Sequence, residues 1–93
     1  MNATLTPHRS AACDEMVVQE IAAAIDLTLA DVQPVCHLRT DFGATDEDLH
    51  VLRVGLELTF SCFIPLPHVQ QWKTVQDVQT YITGRLAAER ITG

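Results

Sequence analysis

Residues 40–60 read TDFGATDEDLHVLRVGLELTF, and this stretch predicts a glycine turn followed by a long amphipathic helix. Gly43 can adopt the positive φ that such a turn often needs without a steric cost. Thr45 offers a side-chain oxygen as the N-cap, and Asp48 follows three residues later in a pattern close to a capping box. Apolar residues then recur at spacings of three and four, forming one stripe of Leu49, Leu52, Leu56 and Phe60. We therefore expect a helix over residues 45–59 that forms the centre of the domain.

Helical patterns flank this segment on both sides. The spacing of Val17, Ile21 and Ile25 predicts a first helix from Asp14 to about Asp26. On the other side, Thr74 and Asp77 repeat the capping pattern. A second apolar stripe follows them and predicts a last helix to about Glu89, formed by Val75, Val78, Ile82 and Leu86 with Tyr81.

The segments between these helices carry weaker patterns. Pro65 and Pro67 leave room only for a short helix or turn across His68–Trp72. Residues 27–44 lack a helical period beyond a short turn near Leu29–Val32. Their scattered apolar residues predict a long loop held against the core by Leu29, Val32, Val35 and Leu38.

Together these patterns predict an all-α fold, a small four-helix bundle of three longer helices and one short helix. We expect a flexible N-terminal tail over residues 1–12, the domain over residues 13–89 and a C-terminal tail over residues 90–93. Trp72 is expected to pack in the core with its indole N–H on a surface acceptor.

Composition narrows the classes of partner. The chain has 93 residues, enough for one domain, and 12 acidic against 6 basic residues give a net charge of −6. This charge balance argues against nucleic acid or an anionic membrane as the binding partner, and it favours partner proteins that carry basic patches. No run of eighteen apolar residues predicts a membrane span, and the N-terminus lacks the apolar core of a signal peptide. Three widely spaced cysteines fit reduced thiols in a cytoplasmic protein, and we expect a monomer.

Residue spacings give no support for catalytic or metal chemistry. The intervals between the histidines and the cysteines are not those of structural zinc sites, so no metal is expected. No sequence signature of nucleophilic catalysis is present, and we expect a protein that is not an enzyme.

The central stretch and its flanks resemble the acyl carrier protein family. The family reads Asp-Leu-Gly-Ala/x-Asp-Ser-Leu, then Leu-Glu-x-x-Phe, Ile-Pro and Thr-Val. The corresponding places here are 41–47 (DFGATDE), Leu56-Glu57 with Phe60, Ile64-Pro65 and Thr74-Val75. The spacings match without a gap from about Cys13 to Gly84. The resemblance implies the four-helix fold of that family and a role in or near fatty-acid or polyketide-type biosynthesis.

The same resemblance places Asp46 where the family has the serine that carries phosphopantetheine. Thr45 stands for the usual aspartate and Glu47 for the usual leucine. A carboxylate cannot accept the arm, so phosphopantetheine is not expected as a cofactor. Asp46 is then either a helix-start carboxylate favoured by the dipole or a stand-in for the phosphate that keeps a basic partner docked. Thr45 as a displaced acceptor hydroxyl is a further alternative, although the N-cap role explains it better.

The resemblance also implies a partner-binding face along this helix. By register the candidate residues are Asp46, Glu47, His50, Val51, Arg53, Val54 and Glu57. The alternative is a solvated surface on which Asp48, Glu57 and Arg53 partly neutralise one another. We expect a protein that acts by protein–protein contact, with biosynthetic enzymes that carry basic docking patches as the partners. A genuine carrier with atypical modification and a non-covalent lipid-binding domain remain alternatives.

Overall fold

The computed structural model describes residues 11–92, with side chains described as far as Glu89. Its four α-helices are α1 (Ala11–Ile25), α2 (Asp46–Phe60), α3 (Leu66–Val69) and α4 (Val75–Thr92). A 3-10 turn at Leu29–Asp31 lies in the long α1–α2 connection. Over residues 11–92 there is no β-strand, only an isolated bridge between His37 and Thr74. The predicted all-helical architecture, three longer helices and one short one, is therefore confirmed for this part of the chain. None of these helices has the length and apolar character needed to cross a membrane.

The helix ends differ by a few residues from those expected. α1 begins at Ala11 and α4 continues to Thr92, so both helices extend beyond the expected domain boundaries. α3 lies before most of the expected span because its N-cap is Pro65 and Pro67 falls in its first turn. A proline is tolerated there, since the first-turn N–H groups have no helical acceptor. Residues 1–10 of the expected N-terminal tail, and Gly93, lie outside the described residues.

Local signals at both ends set the limits of α2. Gly43 has a φ of +69°, as the turn requires. Thr45 Oγ1 accepts from the Asp48 N–H at 3.1 Å, and Asp48 Oδ2 accepts from the Thr45 N–H at 3.0 Å. This is the predicted capping box. The helix ends at Phe60, and its C-cap Ser61 takes a left-handed conformation with φ +54°.

The core is formed by buried side chains of α1, α2 and α4. Leu49, Leu52 and Leu56 of α2 are buried as predicted, and Phe60 is partly buried beside them. α1 contacts both α2 and α4. The buried residues from these two helices are Cys13, Val17, Ile21 and Ala22 of α1, with Val75, Val78 and Ile82 of α4.

The α1–α2 connection is held mainly by its backbone. The Leu38 N–H donates to the Lys73 carbonyl at 2.8 Å, and the Val75 N–H donates to the Cys36 carbonyl at 3.0 Å. Val32 and Leu38 are buried, as expected. The expectation is wrong for Leu29 and Val35, which are 53% and 77% exposed. Backbone bonds to the start of α4 already fix this segment, so not every apolar side chain in it has to face inward.

The start of α4 uses a second reciprocal cap. Asp77 Oδ2 accepts from the N–H groups of Lys73 and Thr74 at 2.9 and 3.0 Å, while Thr74 Oγ1 accepts from the Asp77 N–H. These backbone donors, Lys73 first, lower the pKa of Asp77 below its ordinary value. The stabilisation is therefore present above the unfolded-state pKa and is lost as the pH falls through the lower folded-state pKa.

Replacing Leu56 by Ala should lower the free energy of unfolding by about 2–5 kcal/mol, because the side chain is fully buried in the middle of α2. Leu58→Ala is the matched control, since Leu58 lies two positions along the same helix and is 78% exposed. It should change the free energy by no more than about 0.5 kcal/mol. Equilibrium denaturation measures both, and equal losses would contradict this assignment of the core face.

Candidate functional site

The seven candidate residues of α2 lie on two sides of the helix. Residues three or four apart share a face of a helix, so Asp46 and His50 lie on one side of it. Arg53 and Glu57 continue that side toward the end of the helix. Glu47, Val51 and Val54 face away from the core stripe. The seven residues that were predicted to form one partner-binding face therefore do not share one face in the structure.

Asp46 is the first residue of α2, and its carboxylate is paired within the chain. The side chain is 95% exposed, and its Oδ1 accepts from Arg39 Nη2 at 2.6 Å. Arg39 comes from the connection that precedes the helix. A surface ion pair of this kind contributes about 0–1 kcal/mol to stability. A partner that used Asp46 in place of a phosphate would therefore have to compete with Arg39.

Thr45 has its side-chain oxygen engaged in the capping box with Asp48. The hydroxyl serves the helix start, which is the role expected from the sequence.

Arg53 and Glu57 hold the α2–α3 connection. Arg53 Nε donates to the Ile64 carbonyl at 2.7 Å, and Glu57 Oε2 accepts from the Ile64 N–H at 2.8 Å. The two side chains are 3.7 Å apart and only 20% and 23% exposed. The Arg53 guanidinium also lies 5.9 Å from the centre of the Phe63 ring. These contacts give both residues a structural task within the chain.

The outward face of α2 consists of Glu47, Val51, Val54 and Leu58, all of them exposed. Their spacing of four, three and four residues places them on one side of the helix, opposite the buried Leu52 and Leu56. Leu58 was not among the sequence candidates, although it continues the spacing of Val51 and Val54 by one more turn. Exposed apolar side chains grouped in this way are typical of an interaction surface.

A cleft of about 350 Å³ lies beside the start of α2. Leu49, Leu66 and Val69 provide its apolar part. Its polar part combines Arg39, Asp46, His50 and Gln70. The cleft is therefore amphipathic, and it is next to the Arg39–Asp46 ion pair.

Trp72 packs in the core, as expected, but the hydrogen bonding of its indole N–H differs from the expectation. The residue is only 6% exposed, and its ring meets Tyr81 edge-on at 5.3 Å between centroids. Among the described residues, Nε1 has no hydrogen-bond partner, so the expected surface acceptor is wrong. The ring lies too deep against α4 for its N–H to reach the surface.

The Tyr81 hydroxyl joins α3 to α4. It lies 2.8 Å from His68 Nδ1 and accepts from Arg85 Nη1 at 2.8 Å, and the same Arg85 nitrogen donates to the Phe63 carbonyl at 2.7 Å. The hydrogen bond with Tyr81 is the main cause that raises the pKa of Arg85. A charged arginine therefore ties the α2–α3 connection to α4.

All three cysteines are free thiols. Burial is the largest cause that raises the pKa of Cys62, which lowers its thiolate fraction at neutral pH. Within residues 11–92, no three His, Cys, Asp or Glu side chains are grouped as ligands for a metal ion.

Neither a protein-family model nor a curated protein matches this chain.

Glu57→Ala should lower the free energy of unfolding by about 1–3 kcal/mol, because it leaves the Ile64 N–H without its acceptor. Glu47→Ala is the control, since it removes an exposed carboxylate from the same helix and should cost at most about 1 kcal/mol. Urea denaturation compares the two variants. A cost for Glu57→Ala no greater than that for Glu47→Ala would show that the connection does not depend on this contact.

Proposed function

We propose that this chain is a carrier-like domain without a phosphopantetheine arm, which acts by protein–protein contact through α2 and is not an enzyme. The main support is the start of α2. The position matching the attachment serine holds a carboxylate, that carboxylate pairs with Arg39, and the neighbouring Thr45 hydroxyl caps the helix. No residue at this helix start offers a hydroxyl that is not already engaged.

The chemistry of the outward face suggests the kind of partner. Val51, Val54 and Leu58 offer apolar contact area, and Glu47 adds a negative charge among them. A partner with an apolar groove and basic groups at its rim would complement this face, and the net charge of −6 would favour its approach. By the resemblance to acyl carrier proteins, we place such a partner in or near fatty-acid or polyketide-type biosynthesis.

A second candidate function is non-covalent binding of a lipid. The amphipathic cleft beside α2 supports it, because Leu49, Leu66 and Val69 could contact an acyl chain while Arg39 and His50 lie near its acidic end. A genuine carrier that is modified at an unusual residue is the remaining alternative.

Incubation with coenzyme A and a promiscuous phosphopantetheinyl transferase should leave the mass of the protein unchanged, since Asp46 replaces the acceptor hydroxyl. Intact mass spectrometry under denaturing conditions measures this, with an ordinary acyl carrier protein in the same reaction as the positive control. A gain of one phosphopantetheine arm on any residue would exclude the proposal in favour of a genuine carrier. Native mass spectrometry of the untreated protein tests the second candidate, which requires a bound lipid that is released on denaturation.

Asp46→Ser alone should be modified slowly or not at all, and Asp46→Ser with Glu47→Leu should be modified much faster. Glu47 is exposed on the outward face, so a transferase with an apolar pocket there would have to bury an unpaired carboxylate. The matched control combines Asp46→Ser with Glu15→Leu, which makes the same change at an exposed residue of α1.

The measurement is a time course of arm attachment on all three variants beside an ordinary carrier. Loading of the single variant at the rate of the ordinary carrier would mean that Glu47 does not obstruct docking. Equal acceleration by Glu15→Leu and Glu47→Leu would mean that net charge, and not the outward face, limits the reaction.

A further inference from the structure

A second cleft, of about 300 Å³, has a composition unlike that of the chain as a whole. Its lining residues all carry an N–H or O–H donor, and none of them is acidic: His37, Arg39, Thr40, Gln70, Trp72 and Lys73. We call this the donor cleft. The chain has 6 Lys and Arg against 12 Asp and Glu, so the meeting of Arg39 and Lys73 with a histidine runs against the overall balance of charge.

The backbone brings these donors together. The α1–α2 connection and the start of α4 are joined by the hydrogen bond from the Leu38 N–H to the Lys73 carbonyl and by the bridge between His37 and Thr74. The Gly43 N–H donates to the Arg39 carbonyl at 2.9 Å, which closes a turn over Thr40. The fold therefore fixes the backbone from which Arg39, Thr40 and Lys73 extend before any ligand arrives, and such preorganisation reduces the entropy lost on binding.

Carboxylates surround the donor cleft but do not line it. Arg39 Nη2 donates to Asp46 Oδ1 and Arg39 Nη1 donates to the Ala44 carbonyl, while Asp41 Oδ2 lies 3.8 Å from His37 Nδ1. Asp77 accepts from backbone N–H groups, and the charge of Lys73 contributes to its lowered pKa. Among the described residues, the Lys73 ammonium makes no hydrogen bond or ion pair. The Lys73 ammonium is therefore the cation of the cleft that is available to bind a ligand.

Trp72 is the buried member of the residues that line the donor cleft, at 6% exposure, and the other five are exposed. Its Nε1 atom has almost no accessible surface, so the indole forms part of the wall and its N–H does not contact a ligand in the cleft. The indole resonance therefore reports on the cleft through its position beside the ligand and not through a hydrogen bond.

We propose that the donor cleft binds the phosphate group of a small phosphomonoester. A phosphate offers oxygens in several directions, which suits an ammonium, a guanidinium, a hydroxyl and an amide placed around it better than a planar carboxylate does. The volume lies at the lower end of the range for small-molecule sites, about 300–1,000 Å³, and fits a phosphate with a small substituent. The inference does not depend on the outward face of α2 and adds a ligand site to the proposed function.

The test uses the single tryptophan of the chain, whose indole N–H gives one resonance in a 15N–1H spectrum. The labelled protein is titrated with glycerol 3-phosphate and, separately, with inorganic phosphate, both against sodium chloride at equal ionic strength. Glycerol 3-phosphate should give saturable shifts of the indole resonance and of the His37 and Lys73 amides with one common midpoint. Saturable shifts with inorganic phosphate alone, or equal shifts with sodium chloride, would overturn the proposal. Amide shifts without a shift of the indole resonance would overturn it as well, since they would place the anion away from Trp72.

Variants locate the site. Lys73→Gln should raise the dissociation constant for glycerol 3-phosphate by about tenfold or more, and Lys73→Arg should restore most of the binding. Arg90→Gln is the charge-matched control, because position 90 lies near the end of α4, roughly 20 Å along the helix from its start. It should leave the constant unchanged. Circular dichroism checks that each variant is folded, and equal weakening by Lys73→Gln and Arg90→Gln would contradict the assignment.

Discussion

The burial of Leu52 and Leu56 sets the rotation of α2 about its axis, and what the helix presents elsewhere depends on that rotation. With this stripe on the core, one flank of the helix carries Arg53 and Glu57 toward the α2–α3 connection. Another flank meets α1 at Gly55 and Thr59. Within residues 11–92, the side chains of the outward face make no hydrogen bond or ion pair. The same apolar stripe that builds the core therefore also selects the surface available to a partner.

The α1–α2 contact brings one side chain of α1 across the middle of α2. The Glu20 carboxylate crosses over Gly55, where a Cβ would lie 2.5 Å from Glu20 Oε1, and it accepts from the Thr59 hydroxyl at 2.8 Å. A side chain at position 55 would force Glu20 to move and would disturb that hydrogen bond. Because only the flexible end of Glu20 stands in the way, this contact favours glycine at position 55 without requiring it, and the glycine lowers helix propensity within α2.

Sequence reasoning was most successful where the determinants are local. The capping box, the turn at Gly43 and the buried stripes follow from residues three or four positions apart, and all of them are found. It was least successful where a side chain meets a distant part of the chain. The pairing of Arg39 with Asp46 and the buried indole of Trp72 depend on how separate segments are brought together, which no short-range pattern encodes. Leu58 is an intermediate case, because its spacing from Val54 was visible but an exposed leucine is common on protein surfaces.

The backbone pairing between the α1–α2 connection and the start of α4 also has a consequence for the order of folding. The bonds from Leu38 to Lys73 and from Val75 to Cys36 join residues that are 35 and 39 positions apart, so forming them costs the entropy of closing a long loop. The capped helix α2 needs only neighbouring residues and can form early. The donor cleft is assembled from both sides of this pairing, and it is therefore completed only when that long loop has closed. A ligand that binds it would stabilise the closed form of the loop.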